Sequence, residues 1–384
     1  MGSGPGLNLR VLRLAERVIR SANREHPADS VLRAELRAEH GLPREAGAQV
    51  SRAVFAYFRW LGWLHGASPI KDQIQHALAL GERYASRPDS FRDADLLARA
   101  VPSWLPTVMD VSAAWVRALQ TEPKLWLRAR RGQGRALASK LGDCRVLGGD
   151  LLADTLEYRG DSDLFRTKEF HSGEFELQDI CSQAVGLICN PRPGEKWWDA
   201  CAGEGGKTLH LSELMENEGS IWASDRAGSR LAILKRRAAR ARVFNYRAAL
   251  WDGGRRLPTR TVFDGVLVDA PCSGIGTWQR NPHARWTSTA QDVKELSELQ
   301  TRLLLNAAAG VKAGGKLVYA ACTLTRLETA EVVKSFEEQS PHFERLAVQN
   351  PLVPGSPLRE MLFLWPQDTS GNGMCLAAWV RRSG

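Results

Sequence analysis

The stretch Asp269-Ala270-Pro271-Cys272-Ser273-Gly274 sets a carboxylate close to a thiol, and a second thiol, Cys322, closes the run Tyr319-Ala320-Ala321-Cys322-Thr323. Two thiols and an acid around one pocket suit covalent catalysis on a pyrimidine. C5 of cytosine is a poor nucleophile. Thiolate addition at C6, with protonation or hydrogen bonding at N3, makes an enamine whose C5 can attack a methyl sulfonium. A base must then remove the C5 proton so that the thiolate can leave. That chemistry needs a nucleophilic cysteine, an acid and a release group, and Asp269, Cys272 and Cys322 are candidates for them. Cations such as Lys207 or Arg280 would help to form a thiolate, and a target base would have to leave its stack to reach the pocket. Taken singly, each cysteine reads more simply as a small buried hydrophobe; two thiols at strand ends beside an acid are harder to dismiss.

A glycine-rich turn supplies a second constellation, Cys201-Ala202-Gly203-Glu204-Gly205-Gly206-Lys207. Such a turn between strand and helix lets a ligand approach the backbone, because no Cβ stands in the way. Its amides can meet a carboxylate at the helix N-terminus. Asp225, at the end of the next strand, is placed to accept both hydroxyls of a ribose. A nicotinamide enzyme would use the same geometry, but this turn is not G-x-G-x-x-G, and Glu204 would repel a pyrophosphate. Asp252 is either a partner for an adenine or amine or a turn residue before Gly253-Gly254.

These groups need a scaffold that gathers them. From residue 194 onward the pattern alternates strand and helix: strands at Lys196–Ala200, Ser220–Asp225, before Asp252, Val262–Val268, Lys316–Ala321 and Met374–Val380, and helices at Thr208–Met215 and Leu231–Val243. Alternation of this kind predicts a doubly wound, mostly parallel α/β sheet. Ligands of such sheets sit beyond the carboxyl ends of the strands. The Gly turn, Asp225, Asp252, Asp269, Cys272 and Cys322 all fall at such ends. Residues 191–384 are therefore expected to form the catalytic domain. Upstream, residues 1–120 read as helices, with Val11, Leu14 and Val18, then Val50, Val54, Phe58 and Leu61, at helical spacing. Pro27, Gly41, Pro43, Pro69 and Pro102 act as breakers and starters. Arg10, Arg13, Arg17, Arg20, Arg24, Arg52 and Arg59 fill other faces, as a solvated or an RNA-binding surface. Residues 121–190 are expected to form a small α+β connecting domain, with strands at Leu125–Leu127 and Thr155–Tyr158 and a basic helical stretch from Arg128 to Lys140.

Composition sets the outer bounds. The 384 residues carry a formal charge of +9, which favours a polyanionic partner. Seven cysteines, an odd number without a C-x-x-C pair, argue against a disulfide framework and a zinc ribbon. No run approaches a membrane span. The polar start, Met1 to Asn8, lacks the apolar core of a signal peptide, although its Ser and Arg content leaves a transit peptide open. A cytoplasmic monomer without a metal is expected.

The motifs closely resemble the Sun family of RNA cytosine-5 methyltransferases, which includes bacterial RsmB-like enzymes. The resemblance runs from Gly173 to Arg382: G-E-F-E-L-Q-D-I-C-S, D-A-C-A-G-E-G-G-K-T, S-D-R, D-A-P-C-S-G-I-G-T, A-A-C-T-L and G-N-G-M-C-L-A-A-W. The segment L-P-R-E-A-G-A-Q-V-S-R-A-V-F-A-Y-F-R-W-L-G-W-L is similar to the NusB-type helical domain that bacterial members carry. The resemblance implies a Rossmann-like fold using S-adenosylmethionine, held by Cys201 to Lys207, Asp225, Asp252 and Asp269. It implies that Cys322 is the nucleophile, that Cys272 releases the product, that Asp269 borders cofactor and cytosine, and that Lys207 helps hold the cytosine. The RNA implied is ribosomal, most naturally 16S, with transfer RNA as the alternative. Three positions depart from the family pattern: Ala321 replaces a threonine, Gly203-Glu204 an alanine-proline, and Thr329 the asparagine after Glu328. The rivals are a DNA cytosine-5 methyltransferase, whose P-C cysteine would be the nucleophile, and a non-catalytic ribosome-assembly protein.

Overall fold

Prolines set the helix starts near the N-terminus. In the computed structural model, which describes residues 8–383, Pro27, Pro43 and Pro69 each immediately precede a helix, Ala28–Ala38, Arg44–Arg59 and Ile70–Ser86. Most of the polar Met1–Asn8 start lies outside the described residues. The first helix, Leu9–Ser21, buries Val11, Leu12, Leu14, Ala15, Val18 and Ile19 on one face. Arg10, Arg17 and Arg20 of this helix, and Arg24 beyond its end, are paired with carboxylates. Arg10 pairs with Glu39 at 3.0 Å, Arg17 with Glu35 and Glu39, Arg20 with Glu16, and Arg24 with Asp292. Arg59 is buried and donates to the Gln279 carbonyl. Arg59 is thus on no solvent face, whereas Arg10 and Arg17 stay exposed while tying the first helix to Glu35 and Glu39.

The chain divides into two compact units. One is helical and combines the residues up to Pro123 with a returning segment, Gly274–Asp292. Within it Arg285, fully buried, donates to the carbonyls of Arg59, Ala100, Leu119 and Trp278. Burial pushes its guanidinium down to about 9. Four carbonyls thus accept from the two terminal nitrogens of one guanidinium in a buried place, while its Nε has no partner among the described residues.

The other unit comprises Lys124–Ser273 and Val293–Gly384. It begins with an antiparallel sheet of β1 (Leu125–Ala129), β2 (Cys144–Val146), β3 (Thr155–Tyr158) and β4 (Phe175–Leu177), in the order β2-β3-β1-β4. The basic stretch is helical only over Gly134–Leu141. Arg128, expected on that helix, lies instead in β1, where it is buried and paired with Glu213. Its apolar strand neighbours Trp126 and Leu127 outweigh the helical pattern downstream.

The larger sheet contains, among the described residues, β5 (Lys196–Asp199), β6 (Ser220–Asp225), β7 (Tyr246–Leu250), β8 (Phe263–Asp269), β9 (Val311–Ala321), β10 (Phe343–Leu346), β11 (Met361–Leu364) and β12 (Met374–Arg381). Its order is β10-β12-β9-β8-β5-β6-β7, with β11 on β12. Strands β7, β6, β5, β8 and β9 run parallel, while β12 is antiparallel to β9, β10 and β11. Helices Gly206–Leu214, Gly228–Ala241 and Ala290–Ala308 connect the parallel strands. This is the Rossmann-like methyltransferase architecture expected. Alternate residues enter two cores: Trp198, Val266, Val268, Tyr319 and Ala321 in one, Trp197, Leu267, Val318 and Ala320 in the other. Covering both faces is what makes the strands read as continuous apolar runs. From β5 the order proceeds one way through β6 and the other through β8, which opens a crevice at the carboxyl ends. Among the described residues no helix is long and apolar enough to cross a membrane.

Candidate active site

The glycine turn after β5 is tied to the end of β6. The Ala202 amide donates to the Ser224 carbonyl at 2.8 Å, and the Gly203 amide to Asp225 Oδ2 at 3.0 Å. Gly203 and Gly205 adopt φ of +55° and +87°, a region that favours glycine. A Cβ on Gly205 would lie 2.6 Å from Leu234, so the turn is both strained and tightly packed for any other residue. Asp225 also accepts from the Ala227 amide at 2.9 Å and from Arg230 at 3.3 Å. It thereby fixes the turn through two bonds to Oδ2, while Oδ1, with one, keeps acceptor capacity for a ribose. Glu204 points outward to solvent. Asp252 is exposed and accepts from the Gly254 amide at 2.8 Å, the local turn that was its simpler reading. It also lines a cleft of about 1000 Å³ with Trp251, Arg226, Arg256 and Arg260. These three arginines carry no ion pair among the described residues.

At the ends of β8 and β9 the expected groups come together. Asp269 opposes Ala320 in the parallel register, so the segments that follow emerge side by side. Cys272 Sγ lies 3.1 Å from Cys322 Sγ. Lys207 Nζ, on the first turn after the glycines, donates to Asp269 Oδ2 at 2.7 Å. Burial by itself would lower Lys207, but the Asp269 charge and hydrogen bond prevail and hold it above its ordinary value. The hydrogen bond from Cys272 pushes the Cys322 thiol down, aided by Lys207 and opposed by burial, Asp269 and Glu328. Burial pushes Cys144, Cys181, Cys189, Cys201 and Cys375 the other way. Its surroundings thus set Cys322 apart from these five cysteines. Lys207 is the cation found beside it; Arg280 belongs to the returning segment of the helical unit. Ala321 is buried in the sheet core.

Sequence reasoning gave Asp199 and Glu328 no role, although both lie in the motifs that carry the family resemblance or beside them. Asp199 ends β5 fully buried, accepting from Thr208 Oγ1 at 2.7 Å, and burial with the nearby Asp269 charge pushes it up to about 7 from an ordinary 3.8. A carboxyl raised on folding contributes stability below its unfolded value that is lost as pH rises towards the folded one. Asp199→Asn, which mimics the protonated acid, is therefore expected to raise the melting temperature at pH 8. The gain, at most about 4 kcal/mol, should vanish as pH falls below about 4. Melting curves of both proteins across that range check this; a gap that does not change with pH would rule out burial of this charge as its source. Glu328 is fully buried behind the two thiols, accepting from Ser273 and Thr323. Its signal was the spacing Thr323-x-Thr325-x-x-Glu328, polar residues crowded just past an apolar strand. Among the described residues no group of His, Cys, Asp and Glu could hold a metal ion.

Comparison with known proteins bears on the same stretch. The family profile described as 16S rRNA methyltransferase RsmB/F matches residues 186–380. The probable ribosomal RNA small subunit methyltransferase B of Bacillus subtilis is 36% identical over 198 residues, 51% of this chain and 44% of that protein. That of Synechocystis is 41% identical over 170 residues, 44% of this chain and 38% of that protein. The match thus spans less than half the length of these two relatives. The mouse tRNA (cytosine(72)-C(5))-methyltransferase NSUN6 is 35% identical over 170 residues, 41% of this chain and 35% of that protein. Among solved structures, PH0851 shares the fold over 98% of this chain and 99% of its own, with a TM-score of 0.79 at 21% identity. NSun6 from Pyrococcus horikoshii with SFG shares it over 71% of this chain and 94% of its own, with a TM-score of 0.62 at 18% identity.

Proposed function

Because the chain belongs to the RsmB/F family of Sun-type RNA methyltransferases, we propose that it transfers a methyl group from S-adenosylmethionine to C5 of a cytosine in RNA, through a covalent bond between Cys322 and C6. The observation that carries this reading is the pair of thiols 3.1 Å apart, beside the Lys207–Asp269 ion pair, at the ends of adjacent parallel strands.

The residues present fit the cofactor. Gly203 and Gly205 hold the turn in a left-handed conformation packed against Arg230, Leu209 and Leu234, and Asp225 fixes it through the Gly203 amide with acceptor capacity left on Oδ1. Asp252, in the cleft it lines with Arg226 and Trp251, would hold the adenine, and Cys201 to Lys207 the amino-acid end. S-adenosylmethionine, when bound, supplies an electrophilic methyl group on a sulfonium. The remaining work falls to this chain. Cys322, with its pKa lowered by Cys272, adds to C6 and makes C5 nucleophilic. Asp269 borders cofactor and base, and Lys207 holds both Asp269 and the cytosine. Once Cys322 is bound to C6 and no longer accepts its hydrogen bond, Cys272 gives its own proton to solvent, and after C5 has gained its methyl group the Cys272 thiolate takes the C5 proton. The C6–sulfur bond then breaks, the ring double bond re-forms, and Cys322 leaves as a thiolate. In a DNA-type enzyme the cysteine after proline would attack; the lowered pKa of Cys322 favours the opposite division of roles.

Arg226, Arg256 and Arg260, without an ion pair among the described residues, and the charge of +9 support an RNA partner. We propose small-subunit ribosomal RNA as the substrate on the names of the bacterial relatives; the name of mouse NSUN6 favours transfer RNA as the second reading. The test is to incubate the purified chain with S-adenosylmethionine labelled in its methyl group and with each RNA, then map 5-methylcytosine by bisulfite sequencing. Label at defined cytosines of small-subunit RNA is expected. Label in transfer RNA alone would move the substrate, and cofactor binding without label in any RNA or DNA would favour the assembly-protein rival.

A further inference from the structure

A fully buried carboxylate is costly unless donors surround it. Glu328 sits in the loop between β9 and helix Ala330–Gln339 with no exposed surface. Its oxygens accept from five groups. Oε1 takes the Ser273 amide at 2.7 Å and Gln300 Nε2 at 3.0 Å. Oε2 takes the hydroxyls of Ser273 at 2.5 Å, Thr323 at 2.8 Å and Thr325 at 3.0 Å. Ser273 follows Cys272 directly in the chain, and Thr323 follows Cys322. One carboxylate therefore grips the neighbour of each thiol. Gln300 extends the grip, since its amide also donates to the Pro271 carbonyl at 2.9 Å, on the other side of Cys272. Tyr319 orients this frame from within β9, its hydroxyl 3.0 Å from Gln300 Oε1 and 2.7 Å from the Glu328 carbonyl.

Resting on the methyl-transfer reading above, we propose that Glu328 is a positioning residue that holds Cys272 and Cys322 at their working separation by tying together the two strand-end loops that carry them. The residue before the nucleophile cannot do this. Ala321 has no polar side-chain atom and is turned into the core. The loops are fastened after the thiols instead, by Thr323, Thr325 and Ser273. A carboxylate serves here because it only accepts, and all five neighbours donate. Glu328 touches no reacting atom in this scheme, and its effect on the chemistry passes through the distance between the two sulfurs. A displacement near 1 Å at a reacting centre costs on the order of 100-fold in rate.

Glu328→Gln is the sharpest probe, because it keeps size and shape but turns an amino group towards donors. The turnover number should fall by about 10- to 100-fold, with the affinities for RNA and S-adenosylmethionine changed less than about twofold, the pattern of lost geometry rather than lost binding. A second readout needs neither RNA nor cofactor. Diamide accepts two electrons and two protons from a pair of thiols, joining them as a disulfide and becoming the hydrazine. The wild-type protein should form the Cys272–Cys322 disulfide quickly, as mass spectrometry of the linked peptides would show, and the variant at least about tenfold more slowly. A residue that only stabilised the fold would lower the melting temperature and leave both numbers of the folded fraction alone. Should Glu328→Gln not fold, Ser273→Ala and Thr325→Val each remove one donor and should show the same split at smaller size. Equal disulfide rates in wild type and all variants would overturn the proposal, whatever happens to turnover. If the disulfide slows but neither protein methylates RNA, the positioning role stands and the methyl-transfer reading fails.

Discussion

Replacing Cys322 with alanine is expected to abolish methyl transfer and every covalent complex with RNA, whereas Cys272→Ala should accumulate that complex. The first loss should reach about 10⁴-fold or more, as when an enzyme loses its nucleophile. The second follows from the division of labour. Without a group to take the C5 proton, the C6–sulfur bond forms but cannot break. The two variants differ in pH behaviour as well. Cys322 is held below its ordinary value chiefly by the hydrogen bond from Cys272. Adduct formation rises with pH as this thiol ionises, so in Cys272→Ala the rise should move to higher pH. Denaturing gels of protein incubated with RNA and cofactor, run over pH 6 to about 10, read both effects. An adduct with Cys322→Ala and none with Cys272→Ala would reverse the roles and make the chemistry DNA-like.

The pair of thiols was legible in the sequence because its parts end strands. Apolar runs such as Val266-Leu267-Val268 and Leu317-Val318-Tyr319-Ala320 announce buried parallel strands, and whatever follows them must lie at the ligand-binding edge. The same logic placed the Gly turn, Asp225 and Asp269. It could not find Glu328, whose partners Ser273 and Gln300 are brought to it by the sheet and by helix Ala290–Ala308, with no periodicity to mark them. Nor could it see that Arg10 and Arg17 would pair with Glu35 of the next helix and Glu39 just past its end, because such pairing depends on how the helices pack. Arg285 is a stronger case. A charged residue in a polar stretch reads as surface, yet here it is the buried donor to four carbonyls of the helical unit. Arg128 was misplaced for a related reason: its charge matched the basic helix downstream, while its burial came from the strand it shares with Trp126 and Leu127.

Charge at the site leads to the other large effect. Lys207→Met should lower kcat/KM by about 10³-fold, a loss equal to about 4 kcal/mol of transition-state stabilisation. Three consequences add. The cytosine loses a contact; Asp269 loses its cation; and the uncompensated Asp269 charge pushes the Cys322 thiol up, because in the wild type Lys207 opposes that push. The rise of activity with pH should therefore move upward in the variant. Stability responds differently. Folding raises Lys207 above its ordinary 10.5, so the stability from its pairing is fully present below that value and is lost only as pH climbs through the raised one. Between pH 6 and 9 the wild-type pair is intact, and the deficit of the variant, about 3 kcal/mol for a partly buried pair that loses one partner, should not vary with Lys207 titration. Lys207→Met combined with Asp269→Asn separates the two effects. With the lone charge removed, urea melts should recover most of the stability, while methylation stays as low as in Lys207→Met or lower. A double variant that regained activity along with stability would reduce the ion pair to a fold-stabilising contact and take Lys207 and Asp269 out of the chemistry.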